Sequence, residues 1–110
     1  MVIDINNIKE IKNEHFKDGE GIYRVKTFDD GVNKIMKGRL KKGCSIGFHK
    51  HSGNCEIIYV LEGSGILTDD EESPVIIHSG QVAYCPEGHC HSLKNEAEGD
   101  LIFFAVVPKQ

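Results

Sequence analysis

Residues 43–63 are the most informative stretch and read Gly-Cys-Ser-Ile-Gly-Phe-His-Lys-His-Ser-Gly-Asn-Cys-Glu-Ile-Ile-Tyr-Val-Leu-Glu-Gly. Three of these side chains can ligate a metal, namely His49, His51 and Glu56. Successive side chains of an extended strand point to opposite faces, so we expect both histidines on one face and the lysine between them on the other. A tight turn at residues 52–54 would then return the chain antiparallel and bring Glu56 to the histidines from a neighbouring strand.

The chemistry of these three side chains suits a metal site. Neutral imidazole nitrogens and a carboxylate oxygen are ligands for divalent iron, manganese, nickel or zinc. A short His-x-His match is weak motif evidence, however. Two exposed loop histidines near a surface glutamate explain these residues equally well, so a second segment is needed to decide between the two interpretations.

That second segment is residues 80–95, which read Gly-Gln-Val-Ala-Tyr-Cys-Pro-Glu-Gly-His-Cys-His-Ser-Leu-Lys-Asn. Residues 43–63 and 80–95 together resemble the paired motifs of the cupin superfamily, Gly-(x)5-His-x-His-(x)4-Glu-(x)6-Gly and Gly-(x)5-Pro-x-Gly-(x)2-His-(x)3-Asn. Every specified position matches, and these positions are Gly43, His49, His51, Glu56, Gly63, Gly80, Pro86, Gly88, His91 and Asn95. With a background frequency on the order of one in twenty at each position, coincidence is a negligible explanation.

The resemblance implies both a fold and a metal site. The fold is all-β, a single-domain antiparallel jelly-roll β-barrel (the cupin, or double-stranded β-helix, fold), over residues 1–110. The cofactor is one divalent transition metal per chain, and its ligands are His49, His51, Glu56 and His91. One position departs from the family pattern, because cupins often carry Asp where this chain has Gln81. That residue usually shapes a turn, so the departure leaves the ligand set intact.

The pattern outside the motifs also favours an all-β sandwich or barrel. Short strand patterns alternate with glycine or acidic turns, and helical periodicity is almost absent. Residues 22–28 alternate polar and apolar side chains, and Asp-Asp-Gly at 29–31 predicts a hairpin turn into a partner strand at 32–40. Nearer the N-terminus, residues 2–5 are a candidate strand, and residues 7–10 have the form of a capping box that opens a single helical turn.

Length and charge limit the classes of function. The chain has 110 residues, with 13 Lys+Arg against 17 Asp+Glu and a net charge of -4, and we expect one domain. No basic stripe is present, so nucleic acid is not an expected partner. The longest apolar run, residues 101–107, is too short to cross a membrane, and the N-terminus lacks the features of a signal peptide. We therefore expect a cytoplasmic protein.

The cysteines are expected to be reduced thiols. No Cys-x-x-Cys spacing occurs, and without secretion signals the default state of a cysteine is the free thiol. Strand alternation turns Cys55 and Cys90 away from the side of Glu56 and His91. Small buried apolar side chains are the favoured interpretation, and redox sensitivity near the site is left open. The four cysteines are Cys44, Cys55, Cys85 and Cys90.

The remaining histidines and the acidic run look like surface features. His15 and His78 are predicted to be exposed. His89 lies beside a glycine in a predicted loop, where solvent exposure is favoured over a role as a proton shuttle at the mouth of the pocket. The acidic residues 69–72 predict a solvated hairpin loop, because a calcium site would need more regular ligand spacing.

The strand that follows the first motif predicts a homodimer. From residue 56 onward both faces of the strand are apolar, with Ile57 and Tyr59 on the face opposite Glu56. A strand that is apolar on both faces lies either inside a sandwich or against a second subunit. We expect Ile57 and Tyr59 to lie toward the partner.

The predicted site suggests what the protein could bind. Three neutral histidines and one carboxylate around a divalent ion leave a net charge of about +1, and an octahedral ion keeps two open positions. In the cupin arrangement these positions are adjacent, so the expected ligand is anionic and bidentate, such as a small organic acid, a diketone or an open sugar derivative. Ile58, Val60 and Leu93 share the parity of the ligands and are expected to form an apolar wall.

Two classes of function remain open at this point. The first is a metal-dependent enzyme that acts on a small oxygen-rich metabolite by oxygenase, decarboxylase or isomerase chemistry, and the fold cannot choose among these reactions. The alternative is a non-catalytic module that binds a carboxylate or sugar through the metal. No catalytic residue beyond the four ligands is identifiable from the sequence, and a purely structural metal is the least favoured reading because it would leave two coordination positions unused.

Overall fold

The computed structural model describes residues 1–110, which form two antiparallel β-sheets and no α-helix. The two 3-10 turns, Ile5–Asn7 and Phe16–Asp18, are far too short to cross a membrane. The ten strands are β1 (Ile11–Glu14), β2 (Ile22–Asp29), β3 (Asn33–Leu40), β4 (Ser45–Lys50), β5 (Glu56–Glu62), β6 (Ser64–Asp69), β7 (Val75–His78), β8 (Val82–Cys85), β9 (Cys90–Lys94) and β10 (Leu101–Pro108).

The two sheets face one another. One sheet has six strands in the order β1-β2-β3-β10-β5-β8, and the other has four in the order β4-β9-β6-β7. The predicted all-β class and the jelly-roll arrangement are confirmed. The sheets remain separate layers of a sandwich, however, and do not close into one continuous barrel.

The hydrophobic core lies between the two sheets and follows strand alternation. Along β5, Ile58 and Val60 are buried, whereas the alternate residues Ile57 and Tyr59 are 42% and 43% exposed. Phe103 of β10 is the largest fully buried side chain. The core therefore uses the inner face of each strand, and the outer face of the six-stranded sheet keeps an apolar character.

An irregularity in the pairing of β4 with β9 changes which side chains point inward. Ile46 lies opposite Leu93 and His49 lies opposite His91, so a step of three residues on β4 matches a step of two on β9. The additional residue is a β-bulge at positions 47–48. Residues three apart face opposite ways in a regular strand, and the bulge is the reason that Ile46 and His49 both face the interior.

The hairpin turn predicted at residues 29–31 and a turn shaped by Gln81 are both present. In the β2–β3 hairpin Gly31 has a φ of +86°, and its N–H donates to Asp29 Oδ1 at 2.8 Å. Before β8, Gln81 Oε1 accepts from the His78 N–H at 2.7 Å, and the Gln81 carbonyl accepts from the Val60 N–H at 3.1 Å. Gln81 therefore shapes the turn at the position where many cupins carry Asp.

The predictions for the N-terminus are wrong. Residues 2–5 are not a strand, and residues 7–10 do not open a helical turn, because the only turn there is the 3-10 segment Ile5–Asn7. A capping box needs its first side chain to bond forward to the backbone. The Asn7 amide instead donates backward to the Asp4 carboxylate at 2.7 Å, so the box does not form.

Candidate metal centre

The four predicted ligands converge, but Glu56 comes from a different strand arrangement than expected. His49 lies on β4, His51 follows it directly, and His91 lies on the paired strand β9. Glu56 begins β5, which pairs with β10 and β8 and not with β4. The turn at residues 52–54 therefore carries the chain from one sheet to the other, and Glu56 reaches the histidines across the interior. The expectation of a neighbouring paired strand is wrong because β4 pairs only with β9.

The ligand atoms form a compact cluster. One ligand atom from each of the four residues lies within 4.8 Å of all the others. His51 Nε2 lies 3.2 Å from His49 Nε2 and 3.0 Å from His91 Nε2. Glu56 Oε1 lies 2.9 Å from His91 Nε2 and 3.3 Å from His51 Nε2. His51, Glu56 and His91 are buried, and His49 is half-buried. The structure thus brings together all four residues that the sequence singled out.

The hydrogen bonds of Nδ1 in His49 and His51 determine the tautomer of each ring, and therefore whether Nε2 has a lone pair for a metal. His49 Nδ1 lies 2.7 Å from the Gly47 carbonyl, and His51 Nδ1 lies 2.7 Å from Asn54 Oδ1. Carbonyl oxygens only accept hydrogen bonds, so in the neutral rings Nδ1 carries the hydrogen and Nε2 presents a lone pair. Two lone pairs that face each other at 3.2 Å repel unless a proton or a metal ion lies between them. Three nitrogens and one carboxylate oxygen are a donor set that fits a divalent transition metal.

The electrostatics of the cluster favour the metal-binding forms of Glu56 and His49. Burial by itself raises the pKa of Glu56, but the close contacts of its carboxylate with the His51 and His91 imidazoles outweigh that effect and lower the pKa to about 2. Burial lowers the pKa of His49, whereas the hydrogen bond to Glu56 raises the pKa of His51. An anionic Glu56 beside a neutral His49 is the state in which both side chains can act as ligands.

A cavity of about 140 Å³ opens beside the cluster, and its wall differs from the one expected. Ile58, Val60 and Leu93 are buried in the core and do not line it. Shared parity with the ligands is not sufficient, because those side chains lie deeper between the sheets. Apolar residues from both sheets and from the second 3-10 turn line the cavity instead, and these are Phe16, Tyr23, Met36, Ile46 and Val107.

The other histidines lie at the surface, as favoured from the sequence. His15 and His78 are exposed. His89 is also exposed, and its Nδ1 lies 2.7 Å from Asp70 Oδ2. His89 therefore pairs with the acidic loop that precedes β7 and is not among the residues that line the cavity.

All four cysteines are free thiols, as expected. Cys55 and Cys85 are buried, and Cys44 and Cys90 are partly buried. Burial raises the pKa of the Cys85 thiol to about 12, so this side chain stays protonated and behaves as a small apolar group.

Several residues around the cluster were missed by sequence reasoning. Gly47 and Asn54 accept hydrogen bonds from His49 and His51. Asn54 had a local signal, since it lies in the turn between two predicted ligands. Residues that line the cavity from distant strands had no such signal, because only the fold brings them near the motifs, and these are Lys17, Tyr23 and Lys34.

Comparisons with known proteins agree with this geometry. The oxalate-binding protein of Thermotoga maritima is 41% identical over 69 residues, which are 63% of this chain and 56% of that protein. The match thus spans little more than half the length of that relative. A crystal structure described as a predicted oxalate decarboxylase from Thermotoga maritima superposes with a TM-score of 0.91 at 28% identity and covers 100% of both chains.

A more distant structure shows the same fold. The sugar phosphate isomerase from Silicibacter pomeroyi, described as a member of a cupin superfamily, superposes with a TM-score of 0.81 at 21% identity. It covers 100% of this chain and 76% of that one. The family model described as a cupin domain matches residues 36–107, a range that contains His49, His51, Glu56 and His91. On this match over most of its length, the chain belongs to the cupin family.

Proposed function

We propose that this protein binds one divalent transition metal per chain and uses it to hold a small anionic metabolite that chelates through two oxygens. The proposal rests on one observation, the convergence of three imidazole nitrogens and one carboxylate in a cluster of which His49, His51 and Glu56 line a small cavity. The proposed ligands are His49, His51, Glu56 and His91. Iron, manganese, nickel and zinc all suit this donor set.

The chain's own residues have distinct parts in this function. A bound divalent ion supplies the Lewis acidity that attracts chelating oxygens. Glu56 neutralises part of the positive charge, and Gly47 and Asn54 hold two of the histidine rings in the tautomer that presents Nε2 to the centre. The cavity of about 140 Å³ is smaller than a typical drug-sized pocket, so we propose a ligand of only a few carbon atoms.

The comparisons suggest which ligand to try first. The relative from Thermotoga maritima is named for oxalate binding, and oxalate is the simplest dianion with two oxygens placed for chelation. Oxalate itself is a proposal for this chain.

The groups that line the cavity favour binding over proton-transfer catalysis. Outside the four ligands, the ionisable residues that line the cavity are Tyr23 and three lysines. Burial, assisted by the nearby charge of Glu56, raises the pKa of Tyr23 well above its ordinary value, so its phenol stays protonated at neutral pH. Apart from the proposed ligands, no histidine or carboxylate faces the cavity. This supports the non-catalytic module, and the oxygenase, decarboxylase and isomerase hypotheses stay predictions.

Calorimetric titration of oxalate into metal-loaded and chelator-stripped protein tests the proposal. We expect oxalate to bind the loaded form and not the stripped form, and we expect acetate to bind the loaded form more weakly because it offers only one strong chelating contact. Equal binding of oxalate to the two forms, or binding to neither, would overturn the proposal.

A further inference from the structure

The cavity has more positive charge than the metal ligands account for. Lys17, Lys34 and Lys50 line it, and Glu56, which is already engaged with the histidines, is the only carboxylate among the lining residues. None of the three lysines takes part in an ion pair. Unpaired ammonium groups around a concave site attract anions and raise their local concentration. The cavity therefore favours a ligand with more negative charge than the metal alone would bind.

Lys34 reaches the cavity from the six-stranded sheet. It lies two residues before Met36 on β3, so both side chains leave the strand on the same face. Met36 is 9% exposed and lies at the edge of the core, whereas Lys34 is exposed. Val107 of β10 is the cross-strand partner of Lys34 and also lines the cavity. Lys34 thus lines the cavity while it stays accessible to solvent.

Lys17 reaches the cavity from the opposite side, on a strained segment. His15, Lys17 and Asp18 have φ values of 51°, 54° and 64°, a left-handed conformation that non-glycine residues rarely adopt. Such strain persists only where the surrounding structure holds it, and it is frequent at functional sites.

The segment is held by direct contact with β4. A Cβ atom on Gly47 would lie 1.9 Å from the Lys17 carbonyl oxygen, so only glycine permits this approach. The Ser45 N–H donates to the Glu20 carbonyl at 2.8 Å, and the Glu20 N–H donates to Ser45 Oγ at 2.8 Å. Because β4 also carries His49, the backbone of Lys17 is held in a defined position relative to the four proposed metal ligands.

We propose that the cavity selects metabolites with a chelating pair of oxygens at one end and a second anionic group at the other, and that Lys17 and Lys34 bind this second group. A short 2-oxo dicarboxylate has this form, since its 2-oxo acid end chelates and its distal carboxylate is left for the lysines. The inference rests on the proposed metal function, because the chelating end needs the metal. It makes Lys17 and Lys34 determinants of specificity and not ligands of the metal.

The test compares two ligands that differ only in the distal group. 2-Oxoglutarate and 2-oxopentanoate have the same chain length and the same chelating end, and only the first has a distal carboxylate. We expect manganese-loaded protein to bind 2-oxoglutarate about tenfold more tightly at low salt, the size expected of two partly exposed ion pairs. The preference should shrink as ionic strength rises, because salt screens exposed charges.

Variants separate the lysines from the metal. Lys17→Met and Lys34→Met should each reduce the preference for 2-oxoglutarate about threefold, as expected for loss of one exposed ion pair, and the double variant should remove it. The affinity for oxalate and for 2-oxopentanoate should fall less than the affinity for 2-oxoglutarate in these variants, because neither ligand has a distal anionic group for the lysines to bind. Lys41→Met is the matched control, since Lys41 is exposed in the turn after β3 and does not line the cavity.

A second ligand pair identifies the kind of distal anion. Dihydroxyacetone phosphate and dihydroxyacetone share a hydroxyketone end and differ in the phosphate. A larger lysine-dependent preference in this pair than in the first would support the inference with phosphate as the distal group.

Two outcomes would overturn the inference. Equal affinities within both pairs would do so while leaving the metal-chelate function intact, provided that oxalate still binds. A preference that both Lys→Met variants retain would remove Lys17 and Lys34 from ligand recognition. Failure of oxalate and of all four other ligands to bind would instead overturn the proposed function itself.

Discussion

His49 and His91 lie directly opposite one another on the antiparallel strands β4 and β9, and their ring centroids are 4.9 Å apart. Directly opposed residues in a sheet hold their Cβ atoms about 5 Å apart, so this one backbone pair sets the distance between two of the four ligands. The bulge at positions 47–48 brings His49 into phase with His91. The distance between His49 and His91 is therefore set by the pairing of β4 with β9.

We predict that His91→Ala lowers the metal content of the purified protein. If the four ligands share equally a binding free energy of about 10–16 kcal/mol, loss of one lowers metal affinity by roughly 70- to 900-fold. Elemental analysis of freshly purified protein measures the change. His78→Ala is the matched control, because His78 is exposed and lies outside the cluster. Wild-type metal content in His91→Ala protein would mean that the ligands are misassigned.

We predict a smaller loss for Asn54→Ala. This variant removes the side chain that bonds His51 Nδ1 at 2.7 Å and orients the ring, and partners of this kind contribute about 10–100-fold to metal affinity. Competition with a metal-sensitive dye measures the affinity. Asn7→Ala should behave as wild type, since Asn7 is exposed and outside the cavity. Unchanged affinity in the Asn54 variant would show that another group orients His51.

We predict that Gly47→Ala destabilises the fold by about 1–3 kcal/mol, the usual range for overpacking. The new Cβ would lie 1.9 Å from the Lys17 carbonyl oxygen, and backbone atoms cannot rotate away as a side chain can. Urea denaturation followed by circular dichroism gives the free energy of unfolding. Gly99→Ala is the control, because a Cβ there meets no atom within 4 Å. Equal stability of the two variants would contradict the close packing of the second 3-10 turn on β4.

We predict a pH-dependent contribution from the exposed pair His89 and Asp70. The hydrogen bond between them raises the pKa of His89 and lowers the pKa of Asp70. A raised histidine pKa stabilises the fold below about pH 6.5, and this is lost as pH rises through the folded value. A lowered aspartate pKa stabilises it above about pH 4, and this is lost as pH falls through the folded value. The pair therefore contributes most between these limits.

Asp70→Asn tests this pair. Asn tolerates the left-handed backbone at this position, where φ is 47°, so the loop should keep its shape. NMR titration should show a lower pKa for His89 in Asp70→Asn and no change in Glu72→Gln, whose exposed side chain does not contact it. An unchanged titration of His89 in Asp70→Asn would show that the pair does not form in solution.

We predict a homodimer through the outer face of the six-stranded sheet. Tyr59 of β5 lies between its cross-strand partners Phe104 and Val82, and Ile57 lies between Val106 and Tyr84. Most of these side chains are exposed and together form a continuous apolar patch, which is typical of interaction surfaces. Light scattering at micromolar concentration should give twice the mass of the chain, and a monomer mass would count against the dimer.

Substitution can locate the predicted dimer contact. Tyr59→Glu should yield a monomer, because it places a charge at the centre of the patch. Ile76→Glu should remain dimeric, since Ile76 is 64% exposed but lies on β7 of the other sheet.

Much of the site could be predicted because it depends on local backbone geometry. Strand alternation predicts His49 and His51 on one face, and a glycine that tolerates a positive φ predicts the hairpin at Gly31. Glu56 was a candidate from its place after the predicted turn at residues 52–54, and the motif spacing, read through the family resemblance, added His91. The strand and turn predictions depend on residues close together in the chain, whereas the assignment of His91 depends on the family motif.

The remaining features depend on non-local pairing, which a single sequence does not encode in any short pattern. The sequence by itself determined the ligand types, the strand periodicity and the family. Only the tertiary structure decided that Glu56 comes from the opposite sheet, that the bulge on β4 rephases His49, and that Lys17 and Lys34 meet at one cavity. The physical reason is that register and sheet membership are set by hydrogen bonds and packing between distant segments, whose free energies are compared only when the whole chain folds.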